Sequence, residues 1–159
     1  MPSMLEMKVN DFLAQKRIAV AGVSRKAEGA VGNSIYRRLR DASYQVFPVN
    51  PNASEVEGVT CYHTVKDIPE KVDGVVIVTR PPDTEKVVHD CADAGITRVW
   101  MHGGPHGPGT SVSQDAVQFC KEHNITVIAG ACPLMYGKPS DGFHRFIRGA
   151  MGFFGKLPN

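Results

Sequence analysis

Residues 17–24 read Arg17-Ile18-Ala19-Val20-Ala21-Gly22-Val23-Ser24. Ile18 to Ala21 form an unbroken apolar run closed by a glycine. Runs without polar alternation belong to strands buried on both faces. Next come Val31, Ile35 and Leu39, four residues apart, a stripe that predicts a helix over residues 31–42. Gln45-Val46-Phe47-Pro48-Val49-Asn50 repeats the strand pattern and stops at the turn signal Asn50-Pro51. The third strand is Val72-Asp73-Gly74-Val75-Val76-Ile77-Val78, rich in β-branched residues. Pro82-Asp83-Thr84-Glu85 then opens a helix whose inward face is Val87, Val88, Cys91 and Ala92, with Gly95 at the C-terminal cap. Two more strands are expected over residues 97–101 and 125–129. A helix over 113–123 lies between them, with Ala116, Val117 and Cys120 inward. Residues 56–62 read as a short extended excursion. Residues 1–16 read as a leading helix, with Met4, Leu5, Val9, Phe12 and Leu13 at helical spacing.

Strands alternating with helices specify βαβ units and a parallel sheet. The expected fold is therefore α/β, Rossmann-like, in three αβα layers around a mostly parallel five-stranded sheet. One domain over residues 1–137 carries it. Residues 138–159 are expected to be an appended tail, because the last 30 residues hold six of the 16 glycines and three of the 11 prolines. Phe143, Phe146, Ile147 and Ala150 in that tail have the spacing of a basic amphipathic helix, which would lie on a membrane surface or pack on the domain, a second copy or a protein partner.

At 159 residues the chain is long enough for one self-sufficient core. Apolar residues make up 42% and charged residues 21%, ordinary values that exclude disordered and fibrous classes. A net charge of +2 gives no basic face of the kind nucleic acids require. Cys61, Cys91, Cys120 and Cys132 lack zinc-site or Cys-x-x-Cys spacing. No apolar run is of membrane-spanning length, and the first 15 residues carry no signal-peptide core. These features predict a reduced cytoplasmic protein without a metal.

In an open parallel sheet, ligands bind beyond the carboxyl ends of the strands. Glycine, proline and polar residues gather there. Loop one, residues 22–34, combines Gly22, Val23, Ser24, Gly32, Asn33 and Ser34 with the cations Arg25 and Lys26, ahead of a helix N-terminus suited to phosphate. Its glycines match neither G-x-G-x-x-G nor the P-loop. An NAD site places a carboxylate at the end of strand two. Asn50-Pro51 stands there instead, which removes repulsion toward a phosphorylated ribose and admits NADP or coenzyme A. Thr79, Arg80 and Pro81 follow strand three, and His102 ends strand four. His102 and His106 are four apart, but Gly103, Gly104 and Pro105 between them prevent a helical metal pair.

The segments Ile18-Ala19-Val20-Ala21-Gly22-Val23-Ser24, Val49-Asn50-Pro51, Asp67-Ile68-Pro69, Val72-Asp73, Arg98-Val99-Trp100-Met101 and Cys132-Pro133-Leu134-Met135 together resemble a known family. It is that of single-domain CoA-binding proteins, relatives of the nucleotide-binding half of the succinyl-CoA synthetase alpha subunit. The resemblance covers roughly residues 10–137. It implies a coenzyme A or acyl-CoA binding module that is non-catalytic by itself. Ser24 and its neighbours would hold the diphosphate, Asn50 and Pro51 would flank the adenosine, and Thr79 to Pro81 would line the crevice. Many relatives have a lysine directly after the Asn-Pro pair, where this chain has Asn52. The resemblance then leaves Arg25, Lys26 or Arg80 to meet the 3′-phosphate. Two rival readings are an NADP-dependent oxidoreductase and a thiol-dependent acyl-CoA enzyme using Cys132.

Overall fold

The computed structural model describes residues 3–26, 28–103, 110–131 and 133. Chain order is α1 (Met4–Leu13), β1 (Arg17–Ala21), α2 (Val31–Asp41), β2 (Gln45–Val49), β3 (Glu55–Val56), β4 (Val59–Thr60), a 3-10 turn (Val65–Asp67), β5 (Gly74–Ile77), α3 (Pro81–Asp93), β6 (Arg98–His102), α4 (Gln114–Glu122) and β7 (Thr126–Ala131). The expected tail, together with His106 and Cys132, lies outside the described residues.

Five strands pair in the order β2-β1-β5-β6-β7, and every pairing is parallel. Successive side chains of a strand point to opposite faces, so a strand covered on both sides is apolar throughout. Val75 and Ile77 face the layer of α3 and α4, where they meet Val88, Cys91, Ala116 and Cys120. Val76 and Trp100 face the layer of α1 and α2, where they meet Phe12, Ile35 and Leu39. The three-layer architecture is the expected one.

Local signals cap the helix ends, among them Gly95, the C-terminal cap expected from the sequence. Ser3 and Glu6 form a reciprocal capping box on α1. Ser113 accepts a hydrogen bond from the Ala116 amide at the start of α4, and Gly95 takes the left-handed conformation (φ 73°) just beyond α3. Three details differ. Pro81, not Pro82, is the first residue of α3. Val31 is solvent-exposed while Tyr36 takes a buried place on α2, because the stripe rotates along the helix. The extended excursion is a two-stranded antiparallel hairpin, β3–β4. Glu57 and Gly58 close it at φ 52° and 76°, the pair of positive φ values that a tight hairpin requires.

Helix α1 is anchored across the sheet. Trp100 lies edge-on to Phe12 with centroids 5.4 Å apart and donates from Nε1 to the Ala131 carbonyl at 2.9 Å. A Cβ at Gly74 would come 2.7 Å from the Phe12 ring. Arg98 on β6 holds Asp11 of α1 at 2.8 Å. Among the described residues, no helix is long and apolar enough to cross a membrane.

Two glycines allow close backbone approaches, one between α2 and the end of β1 and one between the end of β1 and the residue after β5. A Cβ at Gly32 would lie 2.3 Å from the Gly22 carbonyl oxygen, and one at Gly22 would lie 2.2 Å from the Val78 oxygen. Both obstacles are backbone and cannot rotate away. Gly32→Ala is expected to lower stability by about 1–3 kcal/mol, the usual cost of overpacking, despite alanine's better helix propensity. Urea denaturation read by circular dichroism measures the loss.

Candidate functional site

The chain runs from β1 outward to β2, then crosses back over β1 to β5. Loops leaving the carboxyl ends of β1 and β5 diverge, and a crevice opens between them, the switch-point position for ligands in this class of sheet. A cavity of about 430 Å³ occupies it, within the size range of small-ligand pockets. Gly22, Val23 and Ser24 after β1, Asn50, Pro51 and Asn52 after β2, and Thr79 and Arg80 after β5 form three of its sides. The fourth side is one face of α3, with Asp83, Lys86, Val87 and Asp90, and residues 63–65 contribute His63, Thr64 and Val65.

Two asparagines hold the first loop in place. Asn33 is fully buried. Its Oδ1 accepts from the Ser24 amide at 2.7 Å, and its Nδ2 donates to the Ser24 carbonyl at 2.9 Å. The same Nδ2 donates to Glu57 Oε2 at 2.9 Å, which ties the β3–β4 hairpin to the loop. Asn50 works from the other side. It donates from Nδ2 to the Val23 carbonyl at 2.9 Å and accepts the Asn52 amide on Oδ1 at 2.8 Å. The end of β2 is thus a locked, uncharged turn. Thr79 Oγ1 and the buried Thr84 Oγ1 are 2.7 Å apart, and Thr84 donates to the Arg80 carbonyl at 3.2 Å. A hydroxyl has one hydrogen, so Thr79 is the donor to Thr84 and keeps only lone pairs for a ligand.

The expected binding residues divide accordingly. Gly22, Val23, Ser24, Asn50, Pro51, Thr79 and Arg80 line the cavity. Arg25 and Lys26 belong to the same loop but are exposed and do not line it. Gly32 and Asn33 lie beneath the loop as packing and tethering residues. The Ser34 hydroxyl donates back to the Ala30 carbonyl at 3.3 Å. Pro81 starts α3. His102 sits at the end of β6, outside the cavity, nine-tenths buried. Among the described residues its Nδ1 has no hydrogen-bond partner, and burial holds its pKa below the usual histidine range. The α3 face and residues 63–65 are the walls that sequence reasoning missed. The available signal was the polar set Asp83, Lys86 and Asp90 at i, i+3 and i+7, beside the apolar stripe of the first helix after the crossover strand.

Among the described residues no cluster of histidine, cysteine or acidic side chains could hold a metal. Cys61, Cys91 and Cys120 are buried free thiols. Burial raises the pKa of all three, that of Cys120 to about 11, so none is a ready nucleophile.

The sequence matches the CoA binding domain family across residues 16–138. The chain belongs to that family. This CoA-binding domain is 43% identical over 127 residues to an ADP-forming acetate–CoA ligase of Archaeoglobus fulgidus, covering 74% of this chain and 18% of the ligase. It thus spans less than a fifth of that enzyme's length. The uncharacterized protein YneT of Bacillus subtilis is 29% identical, with 82% of this chain matching 91% of YneT. A solved structure described as a hypothetical protein from Pyrococcus horikoshii OT3 superposes with a TM-score of 0.71 at 28% identity, covering 83% of this chain and 91% of that one. The Rossmann-like CoA-binding fold expected from the sequence is therefore the observed one.

Two expectations follow from this geometry. Asn33→Ala removes both hydrogen bonds to the half-buried Ser24 backbone, at a cost of about 0.5–1.5 kcal/mol each. A lowered urea midpoint measures it. His102 contributes stability that is complete above its unfolded pKa of about 6.5. As the pH falls below that value, the unfolded chain takes up a proton that the buried ring resists, and stability declines toward the lower folded pKa. Urea midpoints between pH 7.5 and 5 are expected to fall less for His102→Gln than for the parent chain.

Proposed function

We propose that this CoA-binding domain binds coenzyme A or an acyl-CoA in the β1/β5 crevice and acts as a binding module. The observation that carries the reading is the locked, uncharged turn at the end of β2, facing a cavity at the switch point. A carboxylate at that position would bind the ribose hydroxyls of NAD and repel a phosphate on the ribose. Here the Asn50 amide bonds Val23 through Nδ2 and Asn52 through Oδ1, and the place stays neutral. Adenosine fits between Pro51 and the α3 face. The diphosphate fits over the backbone of Gly22 to Ser24, where Asn33 and Asn50 hold the loop open from below, and Arg25 and Lys26 stand at the outer rim. Exposed cations of this kind add long-range attraction for a polyanion more than fixed geometry.

Likeness to ADP-forming acetate–CoA ligases supports coenzyme A as the ligand class. It does not favour an NADP-dependent oxidoreductase, nor a thiol-dependent acyl-CoA reaction at Cys132. Differential scanning fluorimetry tests the reading. A ligand present at about 100 times its Kd stabilises the folded state by roughly 2.7 kcal/mol, which for a domain of this size raises Tm by about 2–8 °C. CoA and acetyl-CoA are expected to give that shift. A shift with NADP and none with either CoA or acetyl-CoA overturns the reading.

A further inference from the structure

We propose that Lys86, on the cavity face of α3, recognises the 3′-phosphate of coenzyme A and so sets the preference of this chain for CoA over dephospho-CoA. The inference rests on the CoA reading above and assigns a residue that the sequence motifs did not suggest. The ribose end of a nucleotide lies at the carboxyl end of β2 in this architecture. That end is Asn50, Pro51 and Asn52, with no charged side chain. The charge must come from another wall, and charge accounting on those walls singles out one group.

Arg80 lines the cavity, but its Nε lies 3.5 Å from Asp83 Oδ2. Asp90, also in the wall, faces Lys66 at 3.5 Å, and Asp93 takes the same lysine at 3.6 Å. Lys86 sits three residues after Asp83 and four before Asp90, the spacing at which helical ion pairs form. Both carboxylates are instead turned to other cations. Among the described residues Lys86 has no ion pair or hydrogen bond, and it is a cavity residue. Arg25 and Lys26 have no place on the cavity wall. An ammonium on a flexible stem, with its neighbouring carboxylates already engaged, suits a phosphate that enters from solvent. The two flanking ion pairs also keep Asp83 and Asp90 from repelling that phosphate in full.

Isothermal titration of the full chain with CoA and with dephospho-CoA, each against the parent and Lys86→Met, tests the proposal. Lys86 is exposed, so the variant is expected to keep its Tm, which is checked first. The parent should prefer CoA by about tenfold, the lower end for a charge-assisted hydrogen bond. Lys86→Met should erase the preference by weakening CoA alone, with dephospho-CoA unchanged. Adding Asn52→Lys to Lys86→Met should restore the preference from the opposite wall. If the parent binds neither ligand, the CoA reading itself fails. If it binds both equally, or Lys86→Met keeps the preference, or Arg80→Met removes it instead, the assignment of Lys86 is wrong while CoA binding stands.

Discussion

The near-contact of two backbones, Gly32 on α2 against the Gly22 carbonyl, governs the rest of the binding edge. A helix that starts this close to the end of a strand forces the connecting chain outward as a loop. That loop then needs internal support, because its amides and carbonyls have no strand to pair with. Asn33 follows Gly32 directly and is carried beneath Ser24 by the same close approach. Once Asn33 is there, its remaining N–H fixes Glu57 and with it the β3–β4 hairpin. Loop, hairpin and helix start are therefore one connected unit.

That chain of dependence explains what was legible in the sequence. The five sheet strands were, since a parallel strand covered on both faces must be apolar throughout, and Ile18 to Ala21 or Val75 to Ile77 can be little else. The helices followed from their stripes and caps. The hairpin was legible only as an extended stretch, because its turn depends on Glu57 adopting a positive φ that glycine or asparagine usually supplies. Asn33 and Ser34 have the composition of phosphate donors, yet one is buried under the loop and the other bonds its own helix. Donor chemistry is local, whereas the direction of a donor depends on a helix packed against a strand ten residues earlier.

The crevice walls show the same limit from the other side. Asp83, Lys86 and Asp90 look like an ordinary solvated face of α3. They become a cavity wall only because β5 lies next to β1 rather than next to β2, a fact of sheet order that no local spacing contains. Similarly, Arg25 and Lys26 are the most conspicuous cations near the expected site, but the loop that carries them turns them to solvent. The net charge of +2 conveys none of this, since what a ligand meets is the set of charges left unpaired on one wall.

Among the described residues, the cavity is lined from residues 21–90, contributed by β1, β2, β5, α3 and the 63–65 segment. Strands β6 and β7 supply sheet and core but no cavity wall. The described walls of the crevice thus come from the first half of the sheet, and His102 stands apart from them at the end of β6, its Nδ1 buried without a partner among the described residues. Walls drawn from so few elements make the crevice a local feature of the fold. The same fold can then stand as most of a small protein such as YneT or as less than a fifth of a ligase. In this chain the crevice takes its shape from two asparagines that hold a loop in place and from a helix face on which Lys86 has no ion pair among the described residues.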